Sequence, residues 1–413
     1  MKNLIIAILS RAGFKVIRTK DFLNQNTHHL SLKNRVTVDQ QKLELSGRSV
    51  FFGYHDKTPF SSDDSKILAH VVEGNGTFPA SEAIKLKTGY FEKGSDGKFD
   101  NRFIEIGESN TWSWQQGSML QWDPLAPNER VYYNCMVNGD HGALHVDIKK
   151  NEIIRTIPYP IYSIDPAGRY ASSINFRRLG MIKPAYGYVN DPNKKPEESA
   201  PKEDGLWLID LQDLKREKIV SLDDLAKFTG KNHYQFINHS TFSPDGKALV
   251  FFHVFENLTG DRSIRFYLYD VESSERTLLE AEDNVSHYCW RDENEIFTAE
   301  NHLVHTGYYK YDLKNLSKTK VDLMNVGDVH PMFHPSNKNL LLADTRPDKK
   351  GFQHLLIYDL DQGKVDYLDR FFLPKEFEHD RRCDLHPRWS RSGKWISIDT
   401  AETGKRSMTI LSF

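Results

Sequence analysis

Asn238-His239-Ser240-Thr241-Phe242-Ser243-Pro244-Asp245-Gly246-Lys247 is followed by an apolar run, Ala248 to Val254, and then by Phe266-Tyr267-Leu268-Tyr269-Asp270. Pro-Asp-Gly is a tight-turn sequence, so the stretch reads as strand, turn, strand, loop, strand: an antiparallel meander. The same unit returns twice. His330-Pro331-Met332-Phe333 precedes Leu355 to Leu360, and His386-Pro387-Arg388-Trp389-Ser390 precedes Trp395-Ile396-Ser397-Ile398-Asp399. Weaker copies centre on Phe60, Trp122, Ile164 and Trp290.

One large apolar residue therefore anchors each copy, at positions 60, 122, 164, 242, 290, 333 and 389. With polar insertions set aside, the spacing matches the period of about 40–50 residues expected of four-stranded blades. Seven anchors give an all-β, seven-bladed β-propeller over residues 35–413, with a β-sandwich or β-helix as the competing architecture. The widest gap holds a Pro- and charge-rich loop, Asn190 to Asp204, and a short helix from Ser221 to Gly230 with Ser221 as its N-cap. Both are expected on one rim. The last unit ends in a third strand, Met408 to Phe413, whereas Val36 to Leu45 supplies a strand before the first unit. An open blade edge invites aggregation, so the N-terminal strand is expected to complete the final blade and close the ring.

The 55 basic and 57 acidic side chains nearly cancel and form no long block of one sign. That argues against a nucleic-acid or anionic-membrane footprint. Cys135, Cys289 and Cys383 are odd in number and far apart, which reads as free thiols in a reducing compartment. Residues 1–34 form an extension whose apolar run, Leu4 to Leu9, is too short to span a bilayer. The reading is an amphipathic helix with at most weak membrane-surface contact, no transmembrane segment and a cytoplasmic protein, export through a weak signal being the alternative.

In a propeller the inner strand of each blade starts near the axis, so the residue three before each anchor faces the channel mouth. In four blades that residue is a histidine: His239, His287, His330 and His386. Such imidazoles can tie blades together through backbone hydrogen bonds, or can converge as a ring with metal-binding or acid–base capacity. Other polar residues start the early blades. Tyr54-His55-Asp56-Lys57 precedes the first anchor and Gln115-Gln116-Gly117 the second, while His141 and His145 follow on its hairpin. Asn175-Phe176-Arg177-Arg178 and Tyr186-Gly187-Tyr188 lie after the third. No nucleophile elbow, Walker loop, HExxH, CxxC pair or GxGxxG is present, so no nucleotide cofactor is expected.

GYHDKTPF, TWSWQQG, SINFRRL with PAYGY, VSHYCW and above all RRCDLHPRWSRSGKWISID give the chain its resemblance. It is similar, from about Val50 onward, to the propeller polysaccharide lyases and their surface-polysaccharide relatives. That group includes ulvan lyases, rhamnosyl-glucuronate lyases and, more distantly, oligogalacturonate lyases. The resemblance implies β-elimination at a uronic acid in a carbohydrate substrate: proton removal at C5 and departure of the 4-linked sugar. Such chemistry needs a group that neutralises the carboxylate, a base and an acid.

The resemblance implies Arg177 or Arg178 with Gln115 and Gln116 for the first task, His141 or His239 as base, and Tyr188 or Tyr186 as acid. Tyr54, His55, Gln115, Tyr186 and Arg382 would contact substrate. In the oligogalacturonate branch a divalent metal neutralises the carboxylate, and His287, His330 and His386 are the counterparts here, for Mn, Ca or Zn. A non-catalytic propeller binding glycans or proteins, and a glycan-processing or transferase protein of capsule or O-antigen assembly, are the alternative functions.

Overall fold

In the computed structural model, residues 36–189, 195–230, 234–256, 262–281, 284–301 and 306–413 are described. The strands form seven antiparallel sheets ordered as seven blades. Five of the seven anchors lie on innermost strands, and the other two bridge to the neighbouring strand of their blade. Trp122, Phe242, Trp290, Phe333 and Trp389 pair with Val131, Leu249, Ile296, Leu341 and Ile396. Phe60 and Ile164 form isolated bridges to Ile67 and Ala171. The fourth blade shows the pattern in full, as Gln235–Phe242, Ala248–Glu256, Arg262–Asp270 and Arg276–Glu280. Aromatic and β-branched side chains on both faces of each blade pack against its neighbours, so the core is a ring of inter-blade layers.

Closure follows the sequence reading. Gln40–Leu43 pairs with Ser407–Ser412 in register Gln40↔Leu411 to Leu43↔Met408, as the outer strand of the seventh blade. A buried polar cluster locks the same joint. Asp399 accepts the backbone N–H groups of Phe52 (3.1 Å) and Gly53 (3.0 Å) from the first blade, and Arg388 Nη2 (3.0 Å) from its own. The insertion of the third blade carries a helix, α1 (Phe176–Ile182), and the short helix α2 (Leu222–Ala226) is capped by Ser221 through Asp224 N–H. The expected extension over residues 1–34 lies outside the described residues, as does part of the 190–204 loop. Among the described residues no helix is long and apolar enough to cross a membrane. The three cysteines are free.

Between the first and second blades the joint is made by His70. Its Nδ1–H donates to Phe52 O (2.8 Å), and its Nε2 accepts from Ser118 N–H (3.2 Å) and lies 3.0 Å from Ser118 Oγ. Gly117, at φ +58°, passes so close that a Cβ there would sit 2.1 Å from His70 Cε1. Every ring nitrogen is thus committed to the neutral form, and burial lowers the His70 pKa to about 3. The folded pKa is below the unfolded value, so His70 contributes stability that is complete above pH 6.5 and is lost as pH falls from there towards 3. Between pH 7.5 and 5.0 the loss should be about 2 kcal/mol from this one imidazole. Urea denaturation at the two pH values should show His70→Asn less stable than wild type at pH 7.5 but with an acid-induced loss smaller by that amount. Equal losses in the two proteins would refute the assignment.

Candidate metal and carboxylate site at the axis

The inner strands do not run as unbroken ladders towards the axis. In the fourth blade the register shifts between Asn238 and Thr241, which leaves His239 out of the pairing at φ +51°. His386 (φ +44°) and Met119 (φ +56°), also three before their anchors, adopt the same left-handed conformation. A local kink of this kind re-aims the side chain, and here it turns it to the channel.

The imidazoles meet there. Ring centroids are 4.2 Å apart for His287 and His330, and 4.4 Å for His330 and His386. Tyr54 fills the centre, 4.5 Å from His239, 4.8 Å from His386 and 4.5 Å from His55. Burial holds His55, His239, His330 and His386 well below the ordinary histidine pKa, and for the first three His287 adds to the effect. These rings are therefore neutral near pH 7, each with one lone pair to offer.

Hydrogen bonds fix where two of those lone pairs lie. His386 Nδ1–H donates to Gly53 O at 2.7 Å, and His330 Nδ1 lies 2.9 Å from both oxygens of Asp344. Asp344 also accepts the backbone N–H of His330 (2.9 Å) and of His386 (3.2 Å). Both Nε2 atoms thus carry the lone pair, and both are buried without a hydrogen-bond partner, as is Asp384 Oδ1. One ligand-type atom from each of His330, Asp384 and His386 lies within 4.8 Å of the others. Unsatisfied buried acceptors are rare and costly, so three together suit a cation.

A charged network backs this triad. Asp384 Oδ2 lies 2.9 Å from Arg346 Nη1 and 2.5 Å from Arg382 Nε. Arg346 also reaches Asp328 (3.0 Å), which accepts from His287 Nδ1–H at 2.8 Å. Burial pushes both carboxyls up, but the adjacent cations outweigh it and hold Asp328 and Asp384 well below the carboxylate range. The Arg346 and Arg382 side chains keep 30 % and 28 % of their exposure, so the cationic wall is the solvent-facing side. Tyr186 arrives from the third-blade insertion, which folds tightly on itself: a Cβ on Gly187 would lie 2.0 Å from Gly180 N of α1. Its hydroxyl accepts from Arg382 Nη2 at 3.2 Å, and its ring is 5.8 Å from that of His239.

Of the residues singled out in the sequence, Tyr54, His55, Tyr186, His239, His287, His330, Arg382 and His386 come together. Gln116 joins through Tyr162, whose hydroxyl is 2.8 Å from Gln116 Nε2 and 3.0 Å from His239 Nδ1. Gln115 Nε2 donates to Arg382 O at 2.9 Å. The remainder lie elsewhere. His141 (2.7 Å from Glu82 Oε1), Arg177 (3.2 Å from Asp140) and Arg178 line a separate cavity of about 550 Å³ between the second and third blades. Arg178 is a strut on the carbonyls of Gln235, Glu198 and Ser199. Tyr188 is a core residue, stacked on Phe176 at 4.4 Å with its hydroxyl accepting from Asn134 Nδ2 (2.8 Å).

Sequence reasoning passed over Asp328, Asp344, Arg346 and Asp384. Two had a signal in plain view: Asp328-Val329-His330-Pro331 and Asp384-Leu385-His386-Pro387 repeat an Asp-x-His-Pro motif at equivalent places.

No family model and no curated protein matches the chain. Solved structures do. An oligogalacturonate lyase in complex with manganese superposes with a TM-score of 0.64 at 13 % identity, covering 92 % of this chain and 97 % of that one. The oligogalacturonate lyase from Vibrio parahaemolyticus gives 0.61 at 12 %, covering 91 % and 97 %. Hydrazine synthase from Kuenenia stuttgartiensis gives 0.50 at 14 %, covering 86 % and 94 %. At these identities the likeness speaks for architecture: the chain is a seven-bladed β-propeller, similar in fold over nearly its whole length to oligogalacturonate lyases.

Proposed function

We propose that the protein is a metal-assisted carbohydrate lyase that cleaves a uronate-containing oligosaccharide by β-elimination. The observation that carries the reading is the convergence of ligand-type atoms of His330, Asp384 and His386, both imidazole Nε2 atoms being buried and unpartnered, beside two arginines that keep part of their exposure. Two imidazoles and a carboxylate suit a borderline divalent ion such as manganese, the metal named for one of the similar lyases. Bound there, such an ion would supply positive charge to a substrate carboxylate.

The protein's own groups supply the rest. Arg346 and Arg382 bind and orient the uronate carboxylate, lowering the cost of building negative charge at C5. His239, kept neutral by burial and hydrogen-bonded through Nδ1 to the Tyr162 hydroxyl, is the base. Tyr186 returns a proton to the departing oxygen. Tyr54 and His55 pack against one another beside these groups at the axis.

Incubation with oligogalacturonates and with glucuronate-bearing oligosaccharides should yield 4,5-unsaturated products, seen as rising ultraviolet absorbance. Tyr186→Phe should lower kcat by about 100-fold or more, the usual scale for loss of a general acid. Absence of unsaturated product across such a panel, with saccharide binding intact, would leave a glycan-binding propeller instead.

Metal dependence gives a second check. Manganese should raise the melting temperature of the wild-type protein and support activity that chelation abolishes. Asp384→Asn and His386→Ala should each lose the thermal shift. A shift retained in both variants would place the ion elsewhere.

A further inference from the structure

Beneath the histidine cluster, along the same inner strands, lies a further cavity of about 400 Å³. It is within the range of about 300–1,000 Å³ typical of small-molecule sites. The inner strands of blades four to seven run into it, so its walls are their anchors: Phe242, Trp290, Phe333 and Trp389. Trp389 is buried, yet its indole N–H has no hydrogen-bond acceptor. Lys338 and Arg391 stand exposed on the rim. Among the described residues neither has an ion-pair partner, and Arg391 makes one hydrogen bond, from Nε to Phe60 O at 3.3 Å. The deep end is closed by His55 and Asp56, the latter paired with Lys57 at 2.9 Å.

These features describe a ligand. Four aromatic walls favour a compact ring with apolar faces, the two rim cations favour an anionic group, and the unused indole N–H favours an acceptor. We infer that this cavity binds a small cyclic carboxylate, a sugar acid or an aromatic acid, at a site separate from the metal triad. The inference goes beyond the lyase reading and does not depend on it. The two sites share a wall: His55 Nδ1 bonds Pro331 O at 3.0 Å, Pro331 lines the lower cavity, and the His55 ring is 5.3 Å from that of His330. An occupant would therefore press on the floor of the upper site.

The test is calorimetric titration of the full chain with galacturonate, benzoate and neutral galactose, each against wild type, the Lys338→Ala/Arg391→Ala double variant and Asp384→Asn. Both rim side chains are exposed, so the double variant is expected to fold. Saturable binding of galacturonate or benzoate, weakened at least tenfold in the double variant and unchanged in Asp384→Asn, would support the site; which acid binds identifies the source. Galactose should not bind. Saturation by neither acid, or equal affinity in the double variant, would overturn the inference. Binding lost only in Asp384→Asn would assign the ligand to the upper site and equally overturn it.

Discussion

A propeller brings seven strand ends to one axis, where the backbone groups of those ends have no ladder partners. Leaving such a group buried and unpaired costs about 1–3 kcal/mol, so each joint needs a polar side chain to receive it. Four joints here use the same device, a residue on the second strand three beyond the anchor's partner: His70, Asn134, Asp344 and Asp399. Asn134 exchanges two hydrogen bonds with Ile161, and Asp399 takes two N–H groups from the first blade. Asp344 does this for the sixth and seventh blades. In holding the backbone of His330 and His386 it also fixes the tautomer of His330, so a structural joint doubles as the support of the site.

Electrostatics make the arrangement lopsided. Blades five to seven contribute His287, Asp328, His330, Arg346, Arg382, Asp384 and His386, in which each carboxylate is matched by a guanidinium or an imidazole. Blades one to three contribute Tyr54, the two glutamines and Tyr186. The guanidinium–carboxylate network therefore lies on one side of the axis, and the other side offers hydrogen-bonding groups with the single Asp56–Lys57 pair. The partial exposure of Arg346 and Arg382 leaves the network accessible while the imidazoles stay dry.

The sequence made the fold legible because each blade repeats a turn, an apolar anchor and an alternating run, and every anchor pairs with the next strand of its blade, Phe60 and Ile164 through isolated bridges. The four axial histidines were legible for the same reason, since position relative to the anchor determines direction. Arg178 and Tyr188 were not, because they lie on an insertion that repeats nothing; local sequence does not say that Arg178 turns to three carbonyls or that Tyr188 stacks on Phe176. Asp344 was hidden differently. It ends an apolar strand, Leu340–Asp344, as Asp399 nearly ends Trp395–Thr400, and reads as a strand terminus until the joints are compared. Arg346, two residues later, lies in a connecting loop without a repeat partner to mark it.

The central claim is that the unpartnered nitrogens of His330 and His386 and the carboxylate of Asp384 together hold a divalent cation. Crystals of the full chain grown with manganese, with diffraction measured at the manganese absorption edge, test it most directly. The expected result is a single strong anomalous peak within bonding distance of His330 Nε2, His386 Nε2 and a carboxylate oxygen of Asp384. An axis without such a peak at saturating manganese, or a peak coordinated by other residues, would contradict it.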